Sequence, residues 1–231
     1  MDVLEKSWTW LTTGANWSGE SGAWHRLGEH LYVSGVALAL ACAFALPLAL
    51  YLGHVGRGGA LAVNISNAGR AIPVFAVLAL FMVTPLRSAG YVPTIIALVL
   101  FAVPPLLTNA YVGMREVDRA VVEAARGMGM SGRQLFVRVE LPLAYPMVMT
   151  GLRSAAVQVV ATATIAAMVG QGGLGRIITA GFNTYNTPQV VAGALLVAVL
   201  ALLVEAVLVL VDRLCSPQRL LRPQRSLRKT V

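Results

Sequence analysis

Charge is what this 231-residue sequence has least of. Only 12% of its residues are Asp, Glu, Lys or Arg, against roughly a quarter in a soluble domain. With 57% hydrophobic residues and a mean hydropathy of +0.73, it reads as an integral membrane protein. Cysteine is scarce too. Cys42 lies in an apolar run and Cys215 in the basic tail, far apart and without metal-ligand spacing, which argues against a disulfide or a zinc site. The chain lacks a phosphate loop G-x-x-x-x-G-K-[S/T] and any nucleophile–base constellation, so it is not expected to hydrolyse ATP or act as an enzyme. No carboxylate occurs between Glu140 and Glu205. That absence bears on GQGGLG, Gly170 to Gly175, which has the G-x-G-x-x-G spacing of a dinucleotide site. Such a site needs a preceding strand and an acid about twenty residues on for the ribose. Here the preceding TATIAAMVG is apolar and helix-like, and the acid is missing.

What the chain does have is apolar length. Crossing a bilayer takes about twenty apolar residues of helix, and five runs approach or exceed that: His30 to Gly53, Ala71 to Leu86 (with Ala68 to Ile72 completing it), Tyr91 to Tyr111, Tyr145 to Val169 and Gln189 to Val211. Unpaired backbone groups in hydrocarbon cost several kcal/mol each, so the spans are helices. Pro47, Pro73, Pro93, Pro104 and Pro105 then read as kinks. The fold class is all-α, with about five transmembrane helices in residues 30–212.

Basic residues set the orientation. Arg57 and Arg70 separate the first two runs, Arg115, Arg119, Arg126, Arg133 and Arg138 the third and fourth, and Arg213 to Lys229 follow the fifth. Those segments are expected to be cytoplasmic, including a basic tail at 213–231, and the N-terminus outside. This accounts for the net charge of +8 without nucleic acid. Residues 1–29 lack the basic start and continuous apolar core of a signal peptide. They carry Trp8, Trp10, Trp17 and Trp24, read as anchors of a helix on the outer surface that turns into the first span at Glu29–His30, with an aromatic cage for a cation as the alternative. His25 and His30 fall outside the membrane on this reading, and His54 in a short loop.

The loop at about 115–144 is the most informative stretch. Val117 to Met128 is amphipathic, with apolar Val121, Val122, Ala125 and Met128 opposite Asp118, Arg119, Glu123 and Arg126. Gly127, Gly129 and Gly132 break it. Ser131 caps a second short helix, Gly132 to Val139, which Pro142 ends. The product is a solvated connector or a knob that docks on another protein.

Glu123-Ala124-Ala125, then Gly129-Met130 and Leu141-Pro142, resemble the EAA loop of ABC-importer permeases. WHRLGEHLYVS, NAGRAIPVFAVLALF, VPPLLTNAYVGMREVDRAVVEAARGMGMS and ATIAAMVGQGGLG resemble the branch that carries quaternary-amine osmoprotectants such as glycine betaine, choline and carnitine. The likeness covers roughly residues 24 to 212. It implies a type I importer permease fold, with the loop seated in a cleft of a separate ATPase that binds ATP and Mg. It also implies a second permease subunit and an external solute-binding protein that largely decides the substrate. In such permeases a glycine-rich turn sits at the outer mouth of the pathway, so Gly170, Gly172, Gly173 and Gly175 are expected to be gate or packing elements, or a plain turn. Five-span methionine permeases share a similar loop and turn and are the alternative. A channel or membrane enzyme would need ionisable clusters inside the spans.

Two further features stand out within the spans. Ser154, Gln158 and Thr162 recur every four residues, one helical face that either lines the pathway or bonds between helices. Arg153 and Glu205 fall at similar depth, about 10–12 Å from the loop-side boundary at 1.5 Å per residue. They neutralise each other or serve proton or substrate movement, unless Arg153 snorkels to the interface.

Overall fold

The computed structural model describes residues 2–69 and 71–216, and every regular element among them is helical. Residues 217–231, most of the expected basic tail, and Arg70 lie outside the described residues. A short helix α1 (Val3–Thr12) precedes α2 (Ala23–Val55). Then come α3 (Gly59–Gly69), α4 (Val74–Met82) and α5 (Val92–Arg115). The loop holds α6 (Arg119–Gly127) and α7 (Gly132–Leu135), which leads through a π-helical stretch, Phe136–Glu140, into α8 (Leu141–Ala163). A 3-10 segment, Thr164–Val169, extends α8, and α9 (Gly175–Asn183) and α10 (Thr187–Cys215) complete the chain. Four helical stretches are long and apolar enough to cross a membrane: α2, α5, the continuous Gly132–Val169, and α10. Counted as one bent span, α3 and α4 give a fifth.

The centre is a three-helix core built on small residues. Ala37, Ala41, Ala45 and Ala49 recur every four residues on α2, and none is more than 2% exposed. They pack with Ala102, Leu106 and Ala110 of α5 and Ala155, Val159 and Ala163 of α8. Lipid is as apolar as leucine, so close van der Waals packing, not burial from water, holds such helices together. The α5–α8 crossing shows the requirement directly. A Cβ on Gly151 would stand 3.0 Å from the Pro105 carbonyl oxygen, and one on Gly113 would stand 3.1 Å from that of Ala144.

Several boundaries differ from those expected. The first span starts at Ala23, and the chain does not turn at Glu29–His30. Nothing in AWHRLGEH breaks a helix, and the 33 residues reach about 50 Å, so the first turns stand beyond an about 30 Å hydrocarbon core. Of the tryptophan segment, α1 is the one separate α-helix among the described residues, followed by a 3-10 turn at Gly14–Asn16, and it packs on α10. Trp24 belongs to α2 and stacks obliquely on Trp17, with ring centroids 5.0 Å apart. His54 is in the last turn of α2, not in a loop.

The second span is two helices meeting at 70°. Pro73, which cannot donate and biases Ile72 to extended backbone, caps α4 and does not kink a continuous helix. Pro93 likewise sits in the first turn of α5, where its missing N–H costs nothing, while Pro47, Pro104 and Pro105 are interior. Pro142 does not end the second loop helix. α7, the π stretch and α8 form one rod, because the i→i+5 pattern ahead of Pro142 shifts the hydrogen-bond register so that its ring and absent N–H fit.

Candidate functional site

At the loop end, sequence fixes the local shape of a projecting helical hairpin. Asp118 Oδ1 accepts from the Ala120 N–H at 2.9 Å and starts α6. Gly129, at φ +80°, reverses the chain. Ser131 and Gln134 form a reciprocal capping box, Ser131 N–H to Gln134 Oε1 at 2.8 Å and Gln134 N–H to Ser131 Oγ at 3.3 Å, opening α7. The expected apolar face of α6 is divided. Val122 and Ala125 are buried against Met114, Val117, Leu135 and Ala144, whereas Val121 and Met128 are exposed. Ala125 therefore holds the hairpin onto the bundle, and the surface free for another molecule is Glu123, Ala124, Gly127, Met128 and Gly129, with Met130 half-buried behind it. Leu141 and Pro142 are half-buried at the base of α8.

A second fastening at this end had no signal in the sequence. Glu140, 3% exposed in the π stretch, meets Nδ1 of His54 at the end of α2. The His54 ring also stands edge-on to Phe136, with centroids 5.4 Å apart.

The opposite end carries the glycine turn. Gly170 (φ +83°) and Gly173 (φ +94°) adopt left-handed backbone that only glycine takes cheaply. The turn is preceded by helix, not strand. It is held by two consecutive residues of α2. Glu29 Oε2 accepts from the Gly173 N–H at 2.8 Å and from Arg26 Nη1 at 2.8 Å, and its Oε1 accepts from the Tyr91 hydroxyl at 2.7 Å. A side chain at Gly172 would place Cβ 2.6 Å from that carboxylate. His30 is 1% exposed, inside the bundle and not in the outer segment. Its Nδ1 accepts from the Leu174 N–H at 3.3 Å, so Nε2 carries the proton and donates to the Val160 carbonyl at 2.9 Å. One histidine thus ties the first span to the fourth and to the turn. Gly175 opens α9, where a Cβ would meet the Thr164 carbonyl.

Between the ends, the polar stripe of α8 is not uniform. Ser154 is exposed, Gln158 Nε2 donates to the Phe101 carbonyl at 3.4 Å, and Thr162 is 9% exposed. Arg153 Nη1 lies 3.9 Å from Glu205 Oε1. Both line a lateral groove of about 560 Å³ that Ser154 shares. Arg153 Nε is buried without a hydrogen-bond partner among the described residues.

A long-helix bundle with a helical hairpin at one end and a clasped glycine turn at the other defines a multi-span membrane protein, and comparison with known proteins gives its family, a class of transport subunits. The chain belongs to the binding-protein-dependent transport system inner membrane components, whose family model matches residues 43–216. It is 36% identical over 196 residues to the glycine betaine/carnitine/choline transport system permease protein OpuCB of Bacillus subtilis strain 168, covering 85% of this chain and 89% of that one. It is 36% identical over 177 residues to the carnitine transport permease protein OpuCB of Listeria monocytogenes, covering 77% and 80%. An inward-facing structure of the MetNI methionine ABC transporter superposes with a TM-score of 0.72 at 24% identity, over 83% of this chain and 94% of that one. That likeness establishes the type I importer permease fold. The chain is a transport subunit of the membrane, not an enzyme, and its family works with ATPases and substrate-binding proteins.

Proposed function

We propose that this chain forms half of the translocation pathway for a quaternary-amine osmoprotectant, glycine betaine, choline or carnitine. The observation that carries the reading is the 36% identity to permeases for these solutes along most of both chains. The methionine transporter shares the fold at 24% identity, which does not extend to its cargo.

The hairpin end faces the cytoplasm, as its arginines require. The exposed face of α6 docks in a cleft of an ATPase subunit, which binds ATP and Mg and supplies the driving force. A second permease copy or a homologue completes the path, and an external binding protein delivers solute near the glycine turn. The geometry supports a lever. The second hairpin helix α7, the π stretch and the fourth span are one continuous helix of 38 residues, Gly132–Val169. Displacement of the docked hairpin is carried along that rod to the turn clasped by Glu29 and His30, the kind of rigid-body transition that packed helices allow.

The test is uptake. In cells lacking other osmoprotectant importers, expression of this permease with its ATPase and binding protein is expected to restore accumulation of labelled glycine betaine, choline or carnitine. Accumulation of methionine instead would transfer the chain to the alternative class.

A further inference from the structure

α2 carries a second feature along the edge of its core-packed face, where Cys42, Leu46 and Leu50 are only partly buried. An apolar groove of about 820 Å³ runs along it from Ala39 past Cys42, Leu46 and Leu50 to His54, where Phe136 and Arg133 of the hairpin close it. At 1.5 Å per residue the groove is about 22 Å long, enough to traverse one leaflet of an about 30 Å hydrocarbon core. Its character changes along its length. The upper part is alanine, leucine and the Pro47 ring, whereas the hairpin end presents an exposed guanidinium, Arg133, that forms no ion pair among the described residues. Glu140, the carboxylate at that end, is buried and engaged with His54 Nδ1, leaving His54 Nε2 open beside Gly132.

We propose that this groove is a site for an anionic phospholipid, one acyl chain lying along Cys42, Leu46 and Leu50 and the phosphate meeting Arg133 and His54 at headgroup depth. A basic end on an intramembrane crevice selects anionic headgroups, and the apolar length selects a chain over a soluble anion. The occupant touches both the first span and the hairpin, so it braces the joint that Glu140 and His54 form. The inference rests on the membrane placement of α2 and is independent of the transported solute.

The experiment uses the full-length protein in nanodiscs containing phosphatidylglycerol or phosphatidylcholine with a diazirine on the acyl chain, with cross-linked peptides mapped after illumination. The phosphatidylglycerol probe is expected to label the 39–54 segment about fivefold more than the phosphatidylcholine probe, the weight of one arginine near the surface. Arg133→Gln, a change at an exposed position, is expected to bring the two probes level. Ala43→Trp, which fills the groove from an exposed site, is expected to suppress both. Equal labelling by the two probes in the unmodified protein, or an undiminished preference in Arg133→Gln, overturns the proposal. So does efficient Cys42–Cys42 cross-linking between copies with no lipid label, which would give the face to a second permease subunit.

Discussion

The carboxylate of Glu140 and the imidazole of His54 meet across 86 residues of sequence, joining the root of the loop hairpin to the end of the first span. The carboxylate is almost wholly buried, and His54 is its hydrogen-bond partner in the structure. Removing the imidazole leaves a buried carboxylate oxygen without its partner, at a cost of about 1–3 kcal/mol. His54→Ala is therefore expected to lower the detergent melting temperature markedly, and Glu140→Gln, which keeps an acceptor oxygen, much less. Equal losses from the two would mean the contact is not what holds the joint.

The hairpin's outer and inner faces are expected to fail differently. Ala124→Glu and Met128→Glu alter the exposed surface and should leave a folded, membrane-inserted protein that no longer co-purifies with its ATPase. Ala125→Glu buries a carboxylate against Met114 and Leu135 and should destabilise the chain itself. Thermal melting alongside co-purification separates the two outcomes; normal ATPase binding by Ala124→Glu would remove the docking surface from α6.

At the other end, His30→Leu leaves the Leu174 N–H and the Val160 carbonyl without their partner. Each buried unsatisfied group costs about 1–3 kcal/mol. The expected phenotype is lost uptake with retained ATPase association, read by transport and co-purification in parallel. Undisturbed transport would show that the clasp does not position the turn.

Arg153 and Glu205 call for a double-mutant cycle. Each alanine substitution is expected to lower stability in detergent, and the double mutant to recover about 0.5–1 kcal/mol, the low end for coupled neighbours at this separation. Strictly additive losses would mean that the two side chains do not pair.

Cysteine accessibility resolves the polar stripe. Ser154→Cys should react fastest with a small polar thiol reagent, Gln158→Cys more slowly and Thr162→Cys least, following their burial. Uniformly fast reaction would mean that the whole stripe lines water.

Much of this molecule could be read from its residues because lipid leaves few options. Long apolar runs must be helices, so α5 and α10 emerge within a few residues of expectation, and Ser131 and Gly129 mark the hairpin by local chemistry alone. Local chemistry also misleads where tertiary contacts override it. Pro142 looks like a stop but is absorbed by a π stretch, and Ala125 looks like part of a docking face but is claimed by Met114 and Leu135. Ile72-Pro73 reads as a kink in one span but divides two helices. The Glu29–Gly173 and His30–Leu174 bonds connect residues 144 positions apart. No periodicity in one sequence announces such pairs.

The most direct test of the account reconstitutes this permease with its ATPase and binding protein in proteoliposomes and follows ATP hydrolysis as the binding protein is loaded. Binding protein carrying glycine betaine, choline or carnitine is expected to stimulate hydrolysis and drive ATP-dependent accumulation of that solute, with methionine inert. Stimulation and accumulation with methionine alone would contradict the proposed cargo, and hydrolysis indifferent to any loaded binding protein would contradict the coupling through the fourth span.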